Sequence, residues 1–139
     1  MTGDDVGFLL AKASQRWNER LYDRFVAAGY SDVRPSYGSI LVPLFEEDGL
    51  RMGELAARAR LSKQTMTTMV RVLEREGLVE RRSDPSDGRA TLVFLTERAR
   101  GLRPVVEAAL EELDRLVVRT LSARGRTELR DALRALADL

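Results

Sequence analysis

Apolar positions recur at helical spacing over most of the chain, and a single stretch breaks that rhythm. Val6, Leu9, Leu10, Ala13, Trp17, Leu21 and Phe25 track one stripe, which predicts a first helix capped by Asp4 or Asp5 and ended before Gly29. At about six turns of 3.6 residues, this helix is long for so small a protein. A second helix is predicted from Pro35, whose missing amide costs nothing at the first helical position, with Ile40, Leu41, Leu44 and Phe45 on its apolar side. Pro43 lies inside it and removes the bond to Ser39, so a kink is expected there. Next come a short helix over Met52 to Ala59, a tight turn at Arg60-Leu61, and a longer helix from Ser62 to Glu76. Met66, Met69, Val70 and Leu73 fall at i, i+3, i+4, i+7 and point its inner face to the core. Ser62 is placed to cap this helix, and Gly77 to close it in the left-handed conformation.

The break follows at once. Leu78 to Arg82 and Thr91 to Leu95 are β-rich runs. Between them, Ser83 to Ala90 holds the Asp, Pro, Ser and Gly that favour turns, so the stretch reads as a hairpin. Helical spacing then resumes. Thr96 caps a long helix carrying Leu102, Val106, Ala109, Leu110, Leu113, Leu116, Val117 and Leu121, with Pro104 expected to bend its first turns. Ser122 starts a last helix with Leu129, Ala132, Leu133, Leu136 and Leu139.

The predicted fold is therefore mainly α with a small β-hairpin wing (α+β). A winged helix-turn-helix lobe over 35–96 is flanked by long helices over 4–28 and 97–139, all within a single domain of 139 residues. The terminal helices are too apolar for one lobe of small elements. They are expected to interlock with those of a second chain as the dimerisation region of a homodimer. The alternative is that they fold back onto their own lobe.

Composition narrows the chemistry. The chain has no Cys and no His, which removes thiol redox sensing, disulfides, Cys/His zinc sites and imidazole acid–base catalysis. It also lacks a nucleophile elbow and a Gly-rich phosphate loop. We expect no catalytic residue, no metal site and no cofactor. No secretory signal is evident, and no apolar run approaches a membrane span, so a cytoplasmic location without membrane contact is expected. Net charge is only +1, so any affinity for nucleic acid must come from how charge is distributed. Between Arg60 and Arg100 nine Lys/Arg face six Asp/Glu, an excess of three that two copies would double.

That excess has a local focus. The outer face of the Ser62–Glu76 helix holds Lys63, Gln64, Thr67, Thr68, Arg71 and Arg75, with donors and no carboxylate. In a DNA-binding helix-turn-helix this second helix lies in the major groove. Gln64 can bond bidentately to adenine and Arg71 to guanine, while Thr65, Thr67 and Thr68 can meet thymine methyls or phosphates. Lys63 and the capped N-terminus at Ser62 suit a phosphate. Arg89, at the wing tip, suits a narrow minor groove, with Asp87 expected to hold its guanidinium in place. Two readings compete with this one. The face is merely solvated in a plain helical hairpin beside a sheet, or the winged helix serves protein contacts without reading DNA.

The chain resembles the MarR family of transcriptional regulators. The motifs that carry the resemblance are Glu54-Leu55-Ala56, Leu61-Ser62-Lys63-Gln64-Thr65, Leu73 through Arg81 (LEREGLVER), Asp84-Pro85-Ser86-Asp87-Gly88-Arg89 and Leu95-Thr96-Glu97, strongest from about Gly53 to Thr96. The resemblance implies a homodimer on a pseudo-palindromic operator in double-stranded DNA, acting as a repressor and often released by a small ligand, here an aromatic or phenolic one. It places such an effector between the dimer helices and the DNA lobe, where Trp17 and Tyr37 occupy matching positions and Arg16 is an anion partner. The chain departs from the family pattern at Pro43, at Arg60, where the family often has glycine, and at Thr68, where it frequently has arginine.

Overall fold

A computed structural model describes residues 3–139. Helix α1 (Val6–Ala27) starts at Asp5, whose Oδ1 accepts the N–H groups of Gly7 at 3.0 Å and Phe8 at 3.4 Å. A 3₁₀ turn (Pro35–Tyr37) then leads into α2 (Gly38–Glu46). The expected start at Pro35 is thus a tighter turn, and the α-helix proper begins three residues later. α2 stays continuous across Pro43, because proline denies Ser39 one donor while its fixed φ is itself helical.

Three helix ends are built alike. After α1, Tyr30 N–H donates to Phe25 O and Gly29 N–H to Val26 O. After α3 (Met52–Ala59), Leu61 N–H donates to Ala56 O and Arg60 N–H to Ala57 O. After α4 (Lys63–Arg75), Leu78 N–H donates to Leu73 O and Gly77 N–H to Glu74 O. Each pair is a Schellman closure, which needs a left-handed residue at its pivot. Gly29 and Gly77 supply it with φ 90° and 74°, and Arg60 does so with φ 54° despite its side chain.

The sheet has three antiparallel strands in the order β1-β3-β2: β1 (Leu50–Arg51), β2 (Val79–Asp84) and β3 (Asp87–Leu95). The two-residue β1 was not expected from the sequence. Leu50 lies opposite Val93, and Gly49 supplies the turn into the strand at φ 72°, with Phe94 so close that a side chain there would collide with its ring. The hairpin loop is shorter than the eight residues expected. Pairing continues from Val79↔Leu95 to Ser83↔Thr91 and resumes at Asp84↔Asp87. Gly88, Arg89 and Ala90 therefore bulge out of β3 between two adjacent β2 positions.

α5 (Glu97–Ala137) opens with Thr96, whose Oγ1 accepts Ala99 N–H at 3.3 Å and donates to Gly77 O at 2.6 Å. Its backbone stays helical through Pro104, where bending was expected, and breaks instead at Ser122 (φ 74°, ψ 168°). Ser122 Oγ accepts Gly125 N–H at 3.1 Å, so it caps the segment 123–137. Arg126 pairs with Asp114, twelve residues away. In an unbroken helix those residues would lie about 18 Å apart, so the chain turns sharply at Ser122.

The chain resolves into two compact units, one of which is Tyr22–Val105. Its core gathers Ile40, Leu44, Leu55, Met66, Val70, Leu73, Leu78, Val79, Val93 and Leu102, all fully buried. The other unit comprises the chain up to Leu21 together with Val106–Leu139. There Leu21, Ala109 and Leu113 are buried, while Val6, Leu9, Leu10, Trp17, Leu121, Leu129, Leu133 and Leu136 are exposed.

Candidate nucleic-acid interface

The outer face of α4 is fixed from its first residue. Ser62 is the N-cap: its Oγ accepts Thr65 N–H at 3.0 Å and donates to Thr65 Oγ1 at 2.8 Å. Ser62 and Thr65 are thereby bound to each other, shaping the helix start. Lys63 and Gln64, next to the cap, are exposed. Thr67 Oγ1 donates to Lys63 O at 2.8 Å and Thr68 Oγ1 to Gln64 O at 3.1 Å. With both hydroxyl protons turned back onto the helix, these threonines offer methyl groups and acceptor oxygens outward. Arg71 and Arg75 continue the exposed face, whereas Met66, Val70 and Leu73 are buried as their spacing requires and Met69 is half-buried.

Arg89 sits at the centre of the three-residue bulge, exposed. Asp87 does not hold its guanidinium as expected. Asp87 Oδ1 accepts the Arg89 backbone N–H at 3.1 Å, the local bond an Asx turn favours, and so shapes the chain around Arg89. The residue that anchors the wing turn was missed in the sequence. Buried Asp84 accepts Ser86 N–H at 2.9 Å and Ser86 Oγ at 2.8 Å through Oδ1, and pairs with Arg51 Nη2 at 2.8 Å through Oδ2. The Ser86 bonds, then Arg51, hold its carboxyl below the usual aspartate range. Its place in the Asp-Pro-Ser turn was a visible signal; Arg51, thirty-three residues upstream, gave none.

The structure also sorts the basic residues. Arg81 is held by Glu74, Arg82 pairs with Glu80 and lies 4.4 Å over the Phe94 ring, Arg98 grips Asp32, and Arg100 meets Asp48 at 3.2 Å. Lys63, Arg71, Arg75 and Arg89 form no ion pair among the described residues. These four are the cations of α4 and the wing bulge. One expectation needs correction: a carboxylate does border this face. Half-buried Glu74 lines a shallow depression with Thr68, Arg71, Arg75 and Arg81, and Arg81 neutralises it.

The three positions matched to an effector have their own surroundings. Tyr37 Oη donates to Glu76 Oε1 at 2.9 Å, and burial, followed by that carboxylate, raises its phenol above the ordinary range. Glu76 closes α4, and its backbone carbonyl accepts Arg98 Nη1 at 2.7 Å. Arg16 pairs with Glu19 at 3.1 Å in the open, and Trp17 is 36% exposed. Arg16 and Trp17 belong to one compact unit and Tyr37 to the other. Among the described residues no cluster of acidic side chains fits a metal ion, and no helix is long and apolar enough to cross a membrane.

A short helix, a left-handed pivot, a capped helix with a polar outer face and a bulged hairpin together define a winged helix-turn-helix. The MarR family model matches residues 35–91. The chain is 36% identical over 93 residues to the HTH-type transcriptional repressor Rv2887 of Mycobacterium tuberculosis, covering 67% of each protein. It is 32% identical over 119 residues to the HTH-type transcriptional regulator TtmR of Methylorubrum extorquens, covering 82% of this chain but 60% of TtmR's length. Among solved structures, a probable transcriptional regulator from Pseudomonas aeruginosa superposes with TM-score 0.81 at 29% identity, over 96% of this chain and 97% of that one. CouR from Rhodococcus jostii bound to p-coumaroyl-CoA does so with TM-score 0.74 at 26% identity, over 97% and 93%. The chain belongs to the MarR family, whose members are transcriptional regulators and not enzymes.

Proposed function

We propose that two copies of this chain form a homodimer that reads a pseudo-palindromic operator in cytoplasmic double-stranded DNA and represses transcription from it. The observation that carries this reading is the sorting of charge: among the described residues Lys63, Arg71, Arg75 and Arg89 of α4 and the wing form no ion pair, while Arg81, Arg82, Arg98 and Arg100 nearby are held in internal pairs. In the major groove Gln64 and Arg71 read base edges, Thr67 and Thr68 present methyls, and Lys63 grips phosphate beside the end shaped by Ser62 and Thr65. Arg89 enters the minor groove from the bulge that Asp87 shapes. The exposed apolar stripes of the terminal helices supply the surface for a second copy. Rv2887, a repressor, supports the direction of control. A small aromatic or phenolic ligand is the proposed releasing effector, supported by the p-coumaroyl-CoA bound to CouR, with Arg16, Trp17 and Tyr37 as the residues to test.

Selection from random duplex DNA tests the reading, and failure to enrich a two-fold motif overturns it. On the selected operator, Arg89→Ala weakens binding about tenfold or more, the scale of one lost groove contact of ~1 to 3 kcal/mol. The melting temperature barely moves, because the side chain is exposed. Unchanged affinity would refute the role of Arg89.

A further inference from the structure

Arg81 lies beside the outer face of α4 and is held by a carboxylate of that helix. From β2 its Nε donates to both carboxylate oxygens of Glu74 at 3.2 Å, and Nη2 lies 3.0 Å from Oε1. One N–H shared between both oxygens, with Nη2 close to the same carboxylate, is a charge-assisted contact that holds the guanidinium on Glu74. It is formed in the open, since the two side chains are 36% and 35% exposed, so it adds little to folding. Its other neighbours in the depression are Thr68, Arg71 and Arg75 of the outer face of α4. The guanidinium bond draws the Glu74 carboxyl below the usual range, which keeps it charged at neutral pH. A carboxylate at this place does two things to a passing phosphate: it repels it, and it occupies the cation that would have bound it.

We propose that Glu74 is a specificity-determining residue, a built-in competitor that withholds Arg81 from the DNA backbone and so weakens binding to arbitrary duplex more than binding to the operator. The inference rests on the DNA-reading function proposed above. Binding to arbitrary duplex comes almost wholly from phosphate contacts, and each one released steepens the fall of affinity with salt. Operator binding adds base contacts from Gln64 and Arg89, with which Glu74 forms no bond among the described residues, and from Arg71, which Glu74 meets only through its charge and not through a bond. Withholding one guanidinium per copy therefore lowers the non-specific term and widens the ratio between the two.

The test measures binding of the full chain to random-sequence and operator duplexes across a salt series. Glu74→Gln is expected to tighten random-duplex binding about tenfold and to steepen its log–log salt slope by about one per copy of the chain, narrowing the ratio between the two duplexes. Arg81→Gln alone is expected to leave both slopes unchanged, and Glu74→Gln with Arg81→Gln to abolish the gain. The inference is overturned if Glu74→Gln leaves random-duplex binding as it was, if the gain survives loss of Arg81, or if Arg81→Gln alone flattens the slope. A wild-type chain whose duplex binding ignores salt overturns the DNA-reading function as well, so the two failures are distinguishable.

Discussion

Arg60 holds the pivot between the two helices of the helix-turn-helix in a conformation that costs any residue with a β-carbon about 1 to 2 kcal/mol. The same closure after α1 and α4 is made by Gly29 and Gly77. Glycine at position 60 would remove that strain while adding roughly 0.5 to 1 kcal/mol of chain entropy to the unfolded state. Arg60→Gly should therefore stabilise the lobe by about 0.5 kcal/mol or slightly more, seen as a higher denaturant midpoint at unchanged slope. A lower midpoint would mean that contacts of the Arg60 side chain outweigh its backbone strain. The sequence exposed this oddity, because arginine stands where the pattern wants glycine. It misled at Asp87, where a two-residue backbone bond outcompeted the expected guanidinium contact.

The helices were legible because apolar period and caps agree. Asp5, Ser62, Thr96 and Ser122 each accept the N–H that their position assigns them. The wing was legible as a hairpin but not in its register. Ser83 and Asp84 resemble loop residues in composition, yet Asp84 is buried and bonded across the turn. Those bonds to Ser86, with Arg51 beside them, make the wing acid-sensitive. The Asp84 carboxyl is lowered in the folded state relative to an unfolded value of about 3.9. Its stabilisation is therefore complete above that value and lost as pH falls through it towards the folded pKa. Melting temperatures of the native chain and Asp84→Asn measured on an acid titration from neutral pH should differ at neutrality and converge as pH falls through the unfolded aspartate value towards the lower folded one. Parallel curves would show that the carboxylate's charge contributes nothing to the wing. With no histidine in the chain, neither curve should bend between about pH 5.5 and 8 through an imidazole.

At the scale of the whole molecule the terminal helices present apolar stripes that a single copy leaves in water. Val6, Leu9, Leu10 and Trp17 follow i, i+3, i+4, i+11 on α1, and Leu129, Leu133 and Leu136 follow i, i+4, i+7 beyond the Ser122 turn. Helical stripes of this kind mark surfaces made to be covered, and the proposed function supplies the cover as a second copy. In the proposed dimer two linked α4 helices would meet two half-sites at the cost of one association, so pairing would multiply affinity by about 10²–10⁴ without adding contacts to either half-site. Leu133 is 43% exposed, so a charge there leaves an isolated fold nearly untouched but is buried unpaired in an apolar dimer interface, at a penalty of several kcal/mol. Leu133→Glu should therefore sediment as a folded monomer and bind the operator at least a hundredfold more weakly, with its affinity for a single half-site unchanged. A Leu133→Glu chain that remains dimeric would place the interface elsewhere. A monomer that keeps full operator affinity would show that one copy suffices to read the site.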